Sequence, residues 1–554
     1  MNATTVIDIM KKGVFLVLAC SIVLTPGTEL FAADAKLDYV RKSGPNFFSY
    51  SELVTLGEQD QIPPALQSKL TTLLTTPVVN NEAFYRKAHP HRPVFDRIGP
   101  GIRLVQWNIE RGIALDNIKL AFTDSDAFVA KVKSSPLEAP DGETREQKVS
   151  AAEIARIRAE LKLLQTADVI VLNEVDWGMK RSGYGCVVCE LGTALNMNWA
   201  WGAEFVEVDP TVLGTDKFDE VQDPQERAKL VAATAPDRQK LRALHGSAIL
   251  SRYPIREAKL VPFKYEAYDW YEGEKNISMP EKGKRTAAIL VGEELGREIR
   301  RGGRTNLIVD LDVPDISGGR LQVVAVHLEN RADPKDRRLE VEELLDKIRD
   351  TQGPVIIAGD MNTTGSNSTP RSTLETVKDK FGSTQFAAQT ALRYGTGIGI
   401  YQSVGTMAFK NVRFQGDPTA SGVKLLAENP ERGLFQTLEK FRFEDGTAFD
   451  FRGVKDCTNP PTSGTLADSN QRAGKGFTTT FQFARTFGPK GKFRLDWIFV
   501  KAYDKDPRDE KGPYRFAPYF PHTLSAVNYA FAERLSDHNP ISVDLPFEER
   551  KPSR

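Results

Sequence analysis

From about residue 100 onwards, short apolar segments alternate with amphipathic ones, a pattern that predicts the strands and helices of an α/β fold. Eight of the apolar segments are rich in Val, Ile and Leu and are bounded by polar or turn-forming residues, as buried strands are. The eight predicted strands are 102–107, 168–172, 247–250, 306–313, 321–326, 355–358, 495–500 and 541–545.

Two amphipathic helices carry clear start signals. Ser150 and Glu153 form a capping box before apolar residues at helical spacing, and Asp333 with Pro334 supplies an N-cap and a proline at the first helical position. A third helix is predicted over residues 65–74. Three stretches rich in charge, Gly and Pro are predicted to be loops and insertions: 208–240, 265–305 and 400–490.

The first residues predict a secretory signal peptide. Lys11 and Lys12 precede an apolar run, residues 13–24, which is followed by a Pro-Gly break and by small residues as far as Ala33. The run is shorter than the roughly 20 residues that span a bilayer. We therefore expect cleavage near Ala33, a secreted or periplasmic mature protein, and no stable membrane insertion afterwards. A lipoprotein signal at Cys20 is the second interpretation.

Composition narrows the class of protein. The chain has 74 Lys and Arg against 74 Asp and Glu, and this balance speaks against a polybasic nucleic-acid binder. The chain has 40% hydrophobic and 27% charged residues, a globular composition that excludes wholesale disorder. After signal removal three cysteines remain, Cys186, Cys189 and Cys457. In an oxidising compartment we expect one disulfide, either within the first pair or from one of its members to Cys457.

Acids, amides and histidines recur where the predicted strands stop, which is the edge where α/β proteins bind ligands. They lie directly after strands in the segments 108–110, 173–176, 327–330 and 359–362, and just before the last strand in 536–539. Carboxylate and amide oxygens with no cysteine nearby suit Mg²⁺, Mn²⁺ or Ca²⁺ rather than zinc. Hydrolysis of a phosphate ester needs a metal ion, an oriented water and donors for the developing charge, and these residue types supply such parts.

Seven motifs in order carry a family resemblance. They are Gln106-Trp-Asn-Ile-Glu110, Leu172-Asn-Glu-Val-Asp176, Gly246-Ser-Ala-Ile-Leu-Ser-Arg-Tyr-Pro254, His327-Leu-Glu-Asn330, Gly359-Asp-Met-Asn362, Leu495-Asp-Trp-Ile498 and Ser536-Asp-His538. Together they resemble the endonuclease/exonuclease/phosphatase superfamily, which has the DNase-I-like fold. The resemblance implies a four-layer α/β sandwich, in which two mixed β-sheets face each other, helices cover them, and the site lies at one edge.

The resemblance also implies a metal site. Glu174 resembles the family's central metal ligand, and Asn108, Glu110 and Asp537 would complete or support it. The implied cofactor is Mg²⁺, or else Mn²⁺ or Ca²⁺. The family commonly has Asp where Glu110 stands, and the extra methylene is a departure that shifts a metal or its water.

The reacting groups are implied in the same way. Asp360 and Asn362 resemble the pair that orients the attacking water and stabilises the pentacovalent phosphorus. His538 resembles the histidine on the scissile phosphate, and Asp496 the carboxylate that orients it. His327 resembles a second, nuclease-type histidine, which donates to phosphate or protonates the leaving group.

Two further features have a functional and a structural interpretation. Arg181 is a candidate substrate-binding residue that contacts phosphate, while a surface salt bridge explains it equally well. The aromatic segment 265–271 suits stacking on a base or sugar, but the packing of a loop onto the body of the protein is the more common use of such a segment.

These inferences divide the chain into three parts. Residues 1–33 are the signal peptide, residues 34–95 an N-terminal helical extension, and residues 96–548 the catalytic domain with an insertion at about 385–485. We expect an exported monomeric phosphoesterase whose partner is a phosphodiester in nucleic acid, phospholipid or a small molecule. The alternatives are a catalytically inactive binding protein on the same fold and a protein that binds nucleic acid without cleaving it.

Export makes a direct prediction about the N-terminus. The mature protein should begin near Asp34, because the signal peptide ends at the small residues before it. N-terminal sequencing of the exported protein checks this. An intact Met1, or a lipid on Cys20, would overturn the assignment of a cleaved signal peptide.

Overall fold

The computed structural model of the protein describes residues 39–95, 99–138, 144–146, 149–219, 221–276, 298–362, 432–450, 477, 479–482, 492–501 and 519–548. Every structural statement below concerns these residues. The predicted signal peptide, Cys457 and most of the predicted insertion at 385–485 lie outside them.

The described residues contain 18 strands and 13 helices. The strands are β1 Val78–Asn80, β2 Val94–Phe95, β3 Gly99–Arg111, β4 Pro136–Glu138, β5 Thr144–Glu146, β6 Val169–Trp177, β7 Asn198–Glu207, β8 Leu244–Ser251, β9 Ile255–Pro262, β10 Arg300–Gly302, β11 Thr305–Asp312, β12 Arg320–His327, β13 Val355–Asp360, β14 Phe481–Gln482, β15 Lys492–Phe493, β16 Asp496–Lys501, β17 Tyr519–Thr523 and β18 Ile541–Pro546. The helices are α1 Tyr50–Glu58, α2 Pro64–Thr75, α3 Glu82–Tyr85, α4 Leu115–Thr123, α5 Ser125–Ser134, α6 Ala151–Gln165, α7 Val187–Leu195, α8 Pro210–Leu213, α9 Pro224–Thr234, α10 Glu272–Lys275, α11 Pro334–Ile348, α12 Arg432–Lys440 and α13 Ser525–Asn528.

Two mixed sheets form the body. The first has nine strands in the order β1-β7-β8-β6-β3-β18-β17, with β10 added to β7 and β2 added to β3. The second has five strands in the order β16-β13-β12-β11-β9. Each large sheet holds one parallel pair, β3 with β6 and β12 with β13, among antiparallel neighbours.

Alternating side chains on the strands build the layers. Val171 of β6 and Val323 of β12 lie in the core between the two sheets. The next residues face the other way: Leu172 packs under helices that include α4, α6 and α7, and Val324 packs under α11 and α12. Since strand side chains alternate with a period of two, each sheet buries both faces. The layers are therefore helix, sheet, sheet and helix, and the predicted four-layer α/β sandwich is confirmed.

The structure contains a strand at each of the eight predicted positions, namely β3, β6, β8, β11, β12, β13, β16 and β18. Helix α6 begins with the predicted capping box between Ser150 and Glu153. Helix α11 begins at Pro334 as predicted, but the Asp333 side chain makes no capping hydrogen bond.

The loop predictions were wrong in part. Within 208–240 the chain forms α8 and α9, within 265–305 it forms α10 and β10, and the described part of 400–490 holds α12 and β14. Helix α9 begins at the N-cap Asp223, whose side chain accepts a hydrogen bond from the Gln225 backbone N–H. Charged residues on its exposed face, rather than a loop conformation, explain the polar composition.

The chain from Tyr39 onwards forms one compact unit. β1 of the predicted N-terminal extension pairs with β7 and so becomes the edge of the first sheet. Helix α2 contributes Leu66, Leu70 and Leu73 to the core that covers this sheet. Among the helices of the described residues, none is long and apolar enough to cross a bilayer.

A disulfide joins Cys186 and Cys189, which is the first of the two expected pairings. Cys186 is the N-cap of α7, and its sulfur accepts a hydrogen bond from the Cys189 backbone N–H. Val187 in the same turn lies directly against Gly112, where an added Cβ would come within 2.8 Å of it. The disulfide therefore ties the loop before α7 to the helix that packs behind β3.

The close approach of β7 and β8 yields a stability prediction. A Cβ at Gly246 would overlap the carbonyl oxygen of Gly202 on β7, so Gly246→Ala should lower the free energy of unfolding by about 1–3 kcal/mol. Gly44→Ala is the matched control, because nothing lies within 4 Å of a Cβ there. Denaturant unfolding of both variants measures the difference, and equal midpoints would contradict the packing described.

Candidate active site

Several strands change from apolar to polar side chains at one end of the layer between the sheets. On β3, Ile102 and Leu104 belong to the inter-sheet core, and the next side chains on that face are Gln106 and Asn108. Three other strands follow the same rule and carry a buried polar side chain at the matching end: Asn173 on β6, His327 on β12 and Asp360 on β13. This edge of the sandwich therefore collects buried polar groups.

The register of the second sheet places three of the predicted residues side by side. His327 of β12 lies opposite Asp360 of β13, and Asp360 lies opposite Asp496 at the start of β16. Position 359 requires glycine, because a Cβ there would overlap the carbonyl oxygen of Val326 on β12. The close pairing of β12 with β13 thus holds His327 next to Asp360.

His538 reaches the same place from the segment before β18. Its Nδ1 lies 2.7 Å from Asp496 Oδ2, and its Nε2 lies 3.6 Å from Asp360 Oδ2. Burial alone would lower the pKa of His538, but the nearby carboxylates, Asp496 foremost, outweigh that effect and raise the pKa well above its usual value. These carboxylates therefore favour the protonated ring, and Asp496 sets its orientation. The Phe481 ring covers it at a centroid distance of 4.9 Å.

His327 approaches Asp360 from β12. Its Nε2 lies 3.8 Å from Asp360 Oδ2, and its Nδ1 lies 3.2 Å from Glu204 Oε2 on β7. Arg304 Nη1 donates to the same Glu204 oxygen at 2.9 Å and lies 2.7 Å from His327 Nδ1. A second histidine is thus held against a carboxylate from the other sheet. Neither Glu204 nor Arg304 was predicted, because β7 was not recognised as a strand and residue 304 fell in a predicted loop.

One oxygen, Asp360 Oδ2, is the point where these donors meet. Besides the two imidazoles, Asn108 Nδ2 lies 3.3 Å from it, and the other oxygen accepts a hydrogen bond from the Asn362 backbone N–H at 2.8 Å. Burial raises the pKa of Asp360, and the positive charge of His538 opposes that effect only in part. Asp360 is therefore a better proton acceptor than an exposed aspartate.

The four predicted metal ligands form one connected group beside Asp360. Asn108 Nδ2 donates to Glu174 Oε1 at 3.1 Å, the Glu110 backbone N–H donates to Asn108 Oδ1 at 3.1 Å, and the Asp537 backbone N–H donates to Glu110 Oε2 at 2.8 Å. The Asn108 amide faces Glu174 with its nitrogen, so a role as metal ligand requires the amide to turn over. The other three residues present carboxylate oxygens.

The carboxylates of this group repel one another. Burial raises the pKa of Glu110 to about 7, and the neighbouring Asp537 adds to the shift. Burial likewise raises the pKa of Asp537. Glu174 behaves differently: burial would raise its pKa, but the positive charge of Arg111, 3.9 Å away, and of two histidines lowers it instead. Arg534 Nη2 lies 3.9 Å from Glu110 Oε1, as far as Arg111 lies from Glu174, yet its charge does not offset the burial of Glu110 and Asp537.

The backbone bends where these side chains leave their strands. Glu110, Glu174 and Asn362 have φ of 45°, 54° and 47°, in the left-handed region that residues other than glycine seldom adopt. The pairing of β3 with β6 shifts register between Asn108 and Arg111. Such bulges next to strand ends redirect side chains, and strained conformations cluster at functional sites.

Two predicted site residues have structural partners. Arg181 donates to Asp176 Oδ2 at 2.7 Å and to Glu207 Oε1 at 3.2 Å, which is a buried ion pair rather than the surface salt bridge considered from the sequence. Asn362 Nδ2 donates to the carbonyl oxygen of Leu328 at 2.8 Å. Contact of either residue with a substrate stays a prediction.

The aromatic segment 265–271 packs onto the body of the protein. Trp270 is buried and donates its indole N–H to Glu329 Oε2 at 2.8 Å. Tyr271 donates its hydroxyl to the Gly57 carbonyl oxygen at 3.2 Å and so reaches the end of α1. Of the two interpretations of this segment, the structure favours packing over stacking on a substrate.

Within the described part of the chain, Asp360, Asp496 and His538 form a group whose possible metal-ligating atoms all lie within 4.8 Å of one another. The imidazole Nδ1 in this group already bonds Asp496. This internal ion pair suits proton transfer and phosphate contact better than metal binding. The oxygen donors around Glu174 remain the better match for a hard divalent ion.

The model of the Endonuclease/Exonuclease/phosphatase family matches residues 105–538, well over half of the chain. The chain belongs to this family. The match begins within β3 and ends at His538, so it spans every predicted site residue. A comparison with curated proteins gives no match.

Three solved structures illustrate how distant the relatives of this endonuclease/exonuclease/phosphatase family member are. One is the endonuclease/exonuclease/phosphatase from Beutenbergia cavernae, 17% identical, covering 80% of this chain and 71% of that chain with a TM-score of 0.30. The second is D. rerio TDP2 complexed with single strand DNA product, with 14% identity, coverage of 80% and 98%, and a TM-score of 0.28. The third is the 3'-5' exonuclease NExo from Neisseria meningitidis, which is 13% identical, covers 80% of this chain and 99% of that chain, and has a TM-score of 0.33.

The quoted motifs of the endonuclease/exonuclease/phosphatase family contain Gln106, Asn173 and Ser536, but the sequence assigned no role to these three residues. Gln106 Nε2 donates to Asp496 Oδ1 at 3.0 Å across the two sheets. Asn173 Nδ2 donates to the Val326 carbonyl oxygen at 3.0 Å, and Ser536 Oγ donates to the Asn108 carbonyl oxygen at 2.7 Å. The signal that could have found Gln106 and Asn173 is a polar residue on the inward face of an apolar strand.

The contact between Asp496 and His538 predicts non-additive losses of activity. His538→Ala should lower kcat by about 10²–10⁴, the effect of losing an acid–base or oxyanion donor. Asp496→Asn should lower it less, because the imidazole is still present. The double variant should be little worse than His538→Ala, since the two residues act as a unit.

Measuring kcat/KM for the wild type, both single variants and the double variant checks this. His89→Ala, which removes an exposed imidazole, is the control and should change nothing. Losses that multiply would show that Asp496 and His538 act independently, although they touch.

Proposed function

We propose that this protein is an exported, divalent-metal-dependent phosphoesterase that hydrolyses a phosphodiester. The observation that carries the proposal is the convergence of two imidazoles and an amide on Asp360 Oδ2, directly beside three carboxylates, two of which have raised pKa values. This arrangement offers a base, donors for phosphate oxygens and hard ligands within one buried edge. Hydrolysis of phosphate esters needs these parts together.

A divalent cation fits the donor set. Glu110, Glu174 and Asp537, with Asn108, would hold it, and a cation among them would offset the burial and mutual repulsion that raise the pKa values of Glu110 and Asp537. When bound, an ion such as Mg²⁺ or Mn²⁺ polarises phosphoryl oxygens and offsets negative charge.

Asp360 is the proposed proton acceptor. Its burial and raised pKa favour taking a proton from an attacking water, and Asn362 fixes it by donating a backbone hydrogen bond to Oδ1. Oδ2 faces Asn108 and both imidazoles, so a water next to it also lies near the donors for the phosphate. Orientation of the nucleophile is the main contribution of this part of the site.

The two histidines have different roles, one at the phosphate and one at the leaving group. His538, kept positive by Asp496, donates from Nε2 to a phosphate oxygen that gains charge as the phosphorus becomes pentacovalent. His327, held by Glu204, stands on the other strand next to Asp360 and protonates the departing oxygen. Phosphate monoesters and diesters both leave with an alkoxide that needs such a proton, so His327 serves the hydrolysis of either.

The charge of the chain narrows the class of substrate. The formal charge of zero and the absence of a polybasic run in the sequence favour a short nucleic acid, a phospholipid head group or a small phosphodiester over long duplex DNA. Export is proposed from the N-terminal apolar run, and the Cys186–Cys189 disulfide supports an oxidising compartment.

The second candidate is a binding protein that retains the fold without catalysis. It requires the loss of a reacting group, yet Glu174, Asp360, Asn362, Asp537 and His538 are all present. Each of them is also hydrogen-bonded to a neighbouring residue of the site. The arrangement therefore favours the enzyme.

Metal dependence gives the main prediction. Activity should vanish with a chelator and return with Mg²⁺ or Mn²⁺, while Zn²⁺ supports it poorly because the site offers oxygen and no sulfur. Glu174→Gln keeps the size of the side chain but removes one negative charge, so the Mg²⁺ concentration for half-maximal activity should rise at least about tenfold. A calorimetric titration with Mg²⁺ should show the same loss of affinity.

The substrates for this assay are DNA, RNA, bis-p-nitrophenyl phosphate, sphingomyelin and inositol phosphates. Asp360→Asn, which removes the proposed base, is the inactive control. If the wild type hydrolyses none of these substrates with Mg²⁺, Mn²⁺ or Zn²⁺, the proposed site is not the metal site. The same conclusion follows if Glu174→Gln binds Mg²⁺ as the wild type does.

A further inference from the structure

An amphiphilic patch lies on the part of the chain before β3. Val40, Phe84 and Tyr85 are 55%, 37% and 38% exposed, which is unusual for large apolar side chains. They are neighbours: the Tyr85 hydroxyl donates to the Tyr39 carbonyl oxygen at 2.8 Å, one residue before Val40, and the Phe84 and Tyr85 rings lie 5.4 Å apart. Contiguous exposed apolar groups mark contact surfaces, whereas single ones need no explanation.

Basic residues surround these apolar groups. Lys42, Arg86 and Lys87 are exposed beside them, and Arg41 lies over the Tyr85 ring at 5.4 Å. The only acid among residues 39–87 that contacts this group in the structure is Glu82, which pairs with Arg41 at 2.9 Å. Residues 40–42 and 82–87 together carry four cations against one carboxylate, a charge of +3 on a chain whose net charge is zero. We call Val40, Lys42, Phe84, Tyr85, Arg86 and Lys87 the basic–aromatic surface.

This surface lies at the opposite end of the first sheet from the candidate active site. The Phe84 backbone N–H donates to Asn198 Oδ1 at 2.8 Å, at the start of β7. Asn198 pairs with Ser251, which in turn pairs with Val169 at the start of β6. Glu174 lies towards the other end of β6. A molecule bound to the basic–aromatic surface is therefore not the substrate in the act of being cleaved.

We propose that the basic–aromatic surface docks the protein onto an anionic lipid bilayer, with the candidate active site facing away from it. Apolar and aromatic side chains ringed by Lys and Arg are the combination that inserts at the interface and attracts anionic head groups. Each basic residue near such a bilayer raises partition about fivefold.

A bilayer fits better than a nucleic acid. Base stacking needs an open ring face, but Arg41 covers a face of Tyr85, and Phe84 packs edge-on against both Tyr39 and Tyr85, at interplanar angles of 79° and 77°. The apolar side chain of Val40 adds nothing to the binding of a phosphate backbone.

Co-sedimentation with vesicles tests the proposal. Residues 34–554, which contain the compact unit from Tyr39 onwards, are mixed with vesicles of phosphatidylcholine alone or with added phosphatidylglycerol, at low and high salt. We expect binding to the anionic vesicles only, weakened by salt. Lys42→Glu with Lys87→Glu should lower the partition at least about 25-fold, and Val40→Ser about fivefold.

Matched controls come from exposed residues elsewhere. Lys217→Glu with Lys229→Glu makes the same change in net charge, and Val231, 42% exposed on α9, gives Val231→Ser. Both controls should bind as the wild type does, and hydrolysis of a soluble substrate should be unchanged in all variants. Equal loss in the controls, binding to neutral vesicles, or binding of single-stranded DNA in place of vesicles would each overturn the proposal.

Discussion

A carboxylate buried between two β-sheets is stable only where positive charge or hydrogen-bond donors face it, and this requirement organises one whole edge of the sandwich. Asp360 has two imidazoles and an amide around one oxygen, and each imidazole has its own carboxylate behind it, Asp496 or Glu204. Every member of this group therefore depends on a partner in the other sheet or on a neighbouring strand. The fold supplies the group by ending its inter-sheet core at the same edge on several strands.

Many of the strands, and the polar site residues at their ends, could be predicted from the sequence because of where the apolar residues lie. Strands such as β3 and β13 are apolar on both faces because both are buried, so a polar residue at their ends, such as Asn108 or Asp360, stands out. The predicted residues came together because the register of the second sheet pairs His327, Asp360 and Asp496 directly. The short motifs marked both the strand ends and the chemistry, since in this fold these are the same positions.

Other parts could not be predicted, because they depend on contacts between distant segments. Glu204 lies in β7, an aromatic strand that was not predicted, and Arg304 follows a polar stretch, yet they meet at His327. The left-handed conformations of Glu110 and Glu174 come from bulges that no residue type announces. The basic–aromatic surface combines residues 40–42 with residues 84–87 through β1 and α3, and neither segment alone is unusual in composition.

We propose that Glu110, Glu174 and Asp537, beside Asp360, bind a divalent ion. Asp360, Asp496 and His538 instead transfer protons and contact phosphate. Crystals soaked in Mn²⁺ test it most directly through the anomalous signal of the metal. The account predicts a peak among the oxygens of Glu110, Glu174 and Asp537, with the imidazole of His538 still bonded to Asp496. A peak bound by Asp360, Asp496 and His538 in its place would contradict the account, because the group assigned to proton transfer would then be the metal site.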